Sequence, residues 1–256
     1  RLPDRRMLCQ VFCSPTKRLT RARAAYAPRM PPAAPAFHPW GTSHQTVLAV
    51  VAAVMVLMLV LARTRFASLA ERALGSLLLA IYPAGLVIHG LCGSLTAQTM
   101  LPLQYCDIAA IAGGLALWTR RQFWCEVVYF FGIAGTLQGL LTPALIYEFP
   151  DPRFFLFFAL HGGVPVTSFY VVSAMRQRPQ AGAVRRVMGF SLGWYAVTAV
   201  TNLALGTNYA FQCQKPPQAS LFDHLGPIPW HNGSAMLLGL AVYSLLHLPF
   251  VRWRKA

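Results

Sequence analysis

From His44 onward the chain alternates long apolar runs with short polar interruptions, many of them rich in arginine. Seven of the runs have the length and composition of membrane-spanning helices, since about 20 residues rising 1.5 Å each cross a hydrocarbon layer of about 30 Å. They fall at about 45–62, 74–92, 102–118, 124–144, 154–175, 187–206 and 233–250. The pattern predicts an all-α fold, a polytopic membrane bundle of about seven transmembrane helices, occupying 37–256 as a single integral membrane domain.

Composition agrees. Of the 256 residues, 56% are hydrophobic and 11% charged, and the mean hydropathy of +0.48 excludes an ordinary soluble domain. A formal charge of +15 would fit a nucleic-acid partner if it lined one face, but the basic residues sit in clusters between apolar runs. They read as topology signals, and no nucleic-acid partner is expected. Twelve fall on one side: Arg63, Arg65, Arg72, Arg120, Arg121, Arg176, Arg178, Arg185, Arg186, Arg252, Arg254 and Lys255. The opposite loops hold Arg153 and Lys215. By the positive-inside rule the amino end is outside and the carboxyl end cytoplasmic, in a multi-pass protein of the cell membrane.

Residues 1–29 carry eight of the 22 Lys/Arg and no apolar core of a signal peptide, which contradicts an outside amino end. A start at Met30 removes the contradiction, so 1–36 read as a disordered or non-native extension. The six cysteines form no CxxC pair, which leaves no zinc-finger or disulfide framework.

The chemistry concentrates at one stretch. Leu101 to Ala110 places Cys106 and Asp107 about one turn inside an apolar helix, with Pro102 suited to its first turn. An ionisable group in a span costs roughly 2.5–3.5 kcal/mol on insertion scales, so function is the default reading of Asp107, against plain snorkelling to the interface. The same topology carries His44, His89, Gln138, Thr142, His161 and Asn202 toward the outer ends of their helices. Asn208, Tyr209, Asp223, His224 and His231 lie in the long loop at about 207–231. A single polar pocket open to the outer leaflet accounts for them, with His44, Asp107, Gln138, Asn202, Asn208 and Tyr209 as substrate-binding candidates.

Three chemistries can use such a pocket. Cys106 can act as nucleophile with a histidine base, its thiolate favoured by the helix dipole. A metal-dependent lipid hydrolase would draw ligands from the histidines, though no HxxxH or HExxH pair sets a geometry and no metal or other cofactor is expected. A transporter or binding protein for a small amphiphile would use the same groups for recognition or proton relay. Core packing remains the plain alternative for a lone Cys and a lone His.

Six stretches taken together, Phe37–His44, Leu101–Asp107, Phe157–Gly162, Gly206–Tyr209, Cys213–Pro216 and Gly226–Trp230, resemble the YwaF-like bacterial integral membrane proteins. That family looks like distant kin of a eukaryotic transmembrane acyltransferase that moves a polyunsaturated acyl chain onto ether lysophospholipids using a cysteine. The resemblance implies acyl transfer, with Cys106 as nucleophile, His161 as general base and a membrane phospholipid or lysophospholipid as partner. Asn202, Asn208 or Tyr209 would then hydrogen-bond the oxyanion. Catalysis requires a thiol, so Cys106 is expected to be reduced, and any disulfide to join Cys92 to Cys213.

Overall fold

The computed structural model describes residues 37–216 and 221–252; the extension at 1–36, with the proposed start at Met30, lies outside the described residues. The helices are α1 (Thr42–Leu61), α2 (Ala67–Leu91), a short α3 (Ala97–Met100), α4 (Tyr105–Thr119), α5 (Gln122–Phe131), α6 (Leu137–Leu141), α7 (Pro152–Ser173), α8 (Ala183–Leu205) and α9 (Trp230–Arg252). A π-helical segment, Gly132–Thr136, joins α5 to α6. No β-strand occurs among the described residues.

Among the described residues seven spans are long and apolar enough to cross a membrane, with α3–α4 forming one and α5–α6 another. The chain is a multi-pass membrane protein whose surroundings are a lipid bilayer.

Local sequence accounts for the helix ends. Asp151 caps α7 by accepting the Arg153 backbone N–H at 2.8 Å, and Pro152 occupies the first helical position, where no amide hydrogen is needed. Gly206 ends α8 in the left-handed conformation, φ 66°, its amide returning to the Asn202 carbonyl.

At the centre stand α2, α4, α5 and α7. Helix α4 can pack on three neighbours because Ala109, Ala110, Ala112, Gly113, Gly114 and Ala116 are all buried, and small side chains let backbones approach closely. Helix α1 lies against α7, α8 against α5, and α9 against α8. These outer helices turn Val56, Leu57, Leu237 and Leu245 outward, as helices facing lipid do.

Three expectations need correction. The third span is broken, because Leu101–Gln104 are extended or turn residues; Pro102 precedes α4, and Cys106 is the helix's second residue. The second span begins at Ala67, seven residues early, which draws Glu71 into a helix. The fourth changes to π geometry at Gly132 and stops at Leu141.

Candidate functional site

One end of the bundle gathers the starts of α1, α4, α7 and α9 with the ends of α2, α6 and α8. Cys106 lies here, half-buried, in the first turn of α4, and its thiol reaches Thr136 in the π segment. Thr136 is fully buried and directs its own hydroxyl back to the Phe131 carbonyl, 3.5 Å away. Tyr105, the residue before the thiol, stacks on Phe131 at 4.2 Å and exchanges a hydrogen bond with the Tyr243 hydroxyl at 3.0 Å. Glycine makes that stack possible: a Cβ on Gly135 would stand 2.3 Å from the Tyr105 ring.

His161 meets the same segment one turn further on. Its Nδ1–H donates to the Phe157 carbonyl at 2.9 Å, which leaves Nε2 as the lone-pair nitrogen, and its ring stacks on Phe157 at 3.9 Å. A Cβ on Gly139 would lie 2.4 Å from Cδ2 and 2.8 Å from Nε2, so the imidazole rests on bare backbone. Thr136 and Gly139 are three residues apart, a spacing that puts their Cβ positions roughly 5–6 Å from each other on a helix. Thiol and imidazole therefore flank one helical turn. Among the described residues no hydrogen bond joins them.

The other candidates are placed as follows. Asp107 accepts the Gln104 backbone N–H at 3.1 Å and caps its own helix, where a carboxylate also meets the favourable end of the dipole. His44 is fully buried; Nδ1 accepts the Trp40 amide at 2.9 Å and Nε2–H donates to the Leu140 carbonyl at 2.9 Å, pinning the start of α1 to the end of α6. Gln138 is exposed, and its carbonyl receives the Thr142 hydroxyl.

Asn202, Asn208 and Tyr209 come together around the loop after α8. Asn202 donates to the Tyr209 carbonyl at 3.0 Å and to Gln212 Oε1 at 3.2 Å, and accepts the Tyr209 amide at 2.7 Å and the Thr207 hydroxyl at 2.9 Å. Asn208 Oδ1 accepts the Cys213 and Gln214 amides, at 2.9 and 3.0 Å. The buried Tyr209 hydroxyl donates to the Ala97 carbonyl and accepts the Leu101 amide at 3.1 Å, and burial pushes its pKa above the ordinary tyrosine value. The polar groups of these three residues hold backbone and, for Asn202, also the Gln212 and Thr207 side chains.

Sequence reading missed Asn232 and the part played by Gln104, which with His231 complete this fastening. Gln104 Oε1 receives the Ala210 amide at 3.2 Å, tying the loop to the cap of the helix that bears the thiol. His231 Nε2 donates to the Phe211 carbonyl at 2.9 Å and Asn232 to the Gln212 carbonyl at 3.2 Å. Ala210 and Phe211 both hold left-handed backbone, φ 56° and 53°, a costly conformation for side-chain-bearing residues that these bonds over-determine. The spacing of Gly132, Gly135 and Gly139 marks where Ser168, Tyr105 and His161 enter, and points to none of the loop's partners.

Cys106 is a free thiol, and so is the exposed Cys92, which makes no bridge to Cys213. Of the histidines a metal site would draw on, His44, His89, His161, His224 and His231, four stand on separate partners: His44 on Trp40 and Leu140, His89 on Ser94, His161 on Phe157 and His231 on Phe211. Among the described residues no three His, Cys, Asp or Glu side chains gather into a metal-binding group.

A model of the TMEM164 family matches residues 39–247, a stretch that takes in the thiol, the imidazole and the loop. The chain belongs to the TMEM164 family. No curated protein and no solved structure matches it. Membership does not carry a reaction, so chemistry rests on the site.

Proposed function

We propose that this member of the family is a phospholipid acyltransferase of the cell membrane that works through an acyl-enzyme on Cys106. The observation that supports the reading is the placement of the Cys106 thiol and the Nε2 lone pair of His161 against adjoining turns of one glycine-bearing, π-bulged segment. Such bulges are frequent at functional sites.

In the first step His161 Nε2 removes the thiol proton, and sulfur attacks the ester carbonyl carbon of a phospholipid. The carbon–oxygen bond to glycerol breaks, and the leaving alkoxide takes the proton from His161 to give a lysophospholipid. In the second step the hydroxyl of an acceptor lysophospholipid gives its proton to His161 and attacks the thioester, which restores the thiol. Asn202, Asn208 and Tyr209 serve by fixing the loop onto the cap of α4, and Asp107 by capping that helix. Loop charge sets the site toward the outer leaflet.

The test is acyl trapping. Purified protein given a phospholipid with a radiolabelled acyl chain should acquire hydroxylamine-labile label, and Cys106→Ala should acquire none. His161→Ala should lower the labelling rate by about 10²- to 10⁴-fold. Equal labelling of wild type and Cys106→Ala overturns the proposal.

A further inference from the structure

Away from the thiol, a groove of about 290 Å³ runs along the outer surface between α2 and α7. Leu77, Ala80, Ala84 and Ile88 line it from α2, with Phe155 and Ala159 from α7. Its walls are almost wholly apolar. The alanines make it concave, since Ala80 and Ala84 are exposed on a face where neighbouring positions carry leucine or isoleucine.

Two observations identify the occupant. The first is length: at about 1.5 Å per residue, Leu77 to Ile88 covers roughly 16 Å, close to half of a hydrocarbon layer of about 30 Å. The groove therefore follows one leaflet from its polar edge to the midplane, as a single acyl chain does. The second is what stands at the polar edge. Ile88 and Pro152 end the groove, and the next residues, His89 and Arg153, are close enough to interact electrostatically. Arg153 is paired with Asp151 through Nε–Oδ1 at 2.9 Å and a terminal nitrogen to Oδ2 at 2.6 Å, and its guanidinium lies 3.4 Å over the Tyr147 ring. The Arg153 side chain is only 13% exposed although it sits at a membrane edge.

The mouth thus presents one cation beside one anion. A headgroup carrying a phosphate and an ammonium matches that pair, phosphate to Arg153 and ammonium to Asp151, whereas a net anionic headgroup meets the carboxylate with no compensating charge. We propose that the α2–α7 groove is a binding site for one acyl chain of a zwitterionic phospholipid whose headgroup seats on Arg153 and Asp151. The site is separate from the thiol, because neither Cys106 nor Thr136 lines the groove and His161 rests instead on Gly139 of α6.

A phosphatidylethanolamine bearing a diazirine at the end of one chain tests this in detergent solution, with cross-linked residues mapped by mass spectrometry. Label should concentrate on Leu77–Ile88 and on 155–159. The double variant Ala80→Phe/Ala84→Phe fills the groove on an exposed face and should lower that label about tenfold, equivalent to roughly 1.4 kcal/mol of binding. Arg153→Gln, which leaves the groove open, should lower it by about fivefold. Excess phosphatidylcholine should displace the probe and excess phosphatidylglycerol should not. Cys106→Ala should label as wild type does, which separates this site from acyl transfer. Label spread evenly over all lipid-facing helices, or label indifferent to the Ala80→Phe/Ala84→Phe change, overturns the site; equal displacement by both competitors overturns the headgroup assignment.

Discussion

At the arginine-rich end of the bundle, Glu71 and Glu126 are buried and each is answered by an arginine, whereas the thiol end is fastened almost entirely by neutral groups. Arg120 pairs with Glu71, which also accepts the Tyr170 hydroxyl at 2.9 Å. Glu126, with no exposure at all, takes Arg186 on both oxygens, Gln122 at 3.0 Å and the Gln180 amide at 3.0 Å. Around the thiol, Asn202, Asn208, Gln104, Gln212 and His231 bind backbone instead. The difference teaches where rigidity and chemistry are divided. A buried carboxylate is tolerable only when its partner stays, so the charged end is locked as a unit. Neutral hydrogen bonds are individually exchangeable, so the loop fastened to the cap of α4 through Gln104 can be released without stranding a buried charge.

The comparison is broken most severely at the charged end. Arg186→Met strands Glu126 and should cost about 3 kcal/mol, the low end for breaking a buried pair because the guanidinium is itself 40% exposed. Denaturant unfolding in detergent reads it, and Glu126→Gln should cost less, since Arg186 can then turn to water. A loss confined to the thiol end in either variant would contradict the division.

Next in size is Asn202→Ala, which orphans the Tyr209 amide and carbonyl and should cost about 2 kcal/mol. The expected signature is local: hydrogen exchange at 207–214 accelerates while that of α4 and α7 is unchanged. Exchange rising throughout the bundle would show that loop and core are one cooperative unit.

Asp107 should matter least to stability. Asp107→Asn keeps an oxygen for the Gln104 amide and loses only the charge near the helix start, about 0.3–1 kcal/mol. If the melting temperature collapses, the carboxylate has a partner beyond its own cap. The surface pair Asp151–Arg153 gives a companion check on pH. Arg153 holds the Asp151 carboxyl below the usual carboxylate range, so the pair's contribution is complete at neutral pH and is lost only as pH falls through that depressed pKa. Labelling of the α2–α7 groove should therefore be the same at pH 7 and pH 5.

The number, order and approximate bounds of the spans were legible because hydrocarbon imposes its length and apolarity on every crossing segment, whatever that segment packs against. Apolarity, however, looks alike in a straight helix, a broken one and a π-bulged one. The break at Leu101–Gln104 therefore belongs to tertiary structure, where Tyr209 holds the Ala97 carbonyl and the Leu101 amide. Glu71 read as a loop residue because its arginine lies 49 residues away in sequence. The polar residues of the thiol end were legible as belonging to one end of the bundle, since span parity alone assigns them there. Their division of labour was not. Asp107 bonds a residue three positions away and Asn208 residues five and six away, local hydrogen bonds that composition does not announce. What the sequence determined by itself is how often the chain crosses and which end is polar, because both follow from transfer between water and lipid. Tertiary structure alone decided which polar groups spend their hydrogen bonds on backbone and which two, at Cys106 and His161, are set against the same turn, because that depends on contacts between helices far apart in the chain.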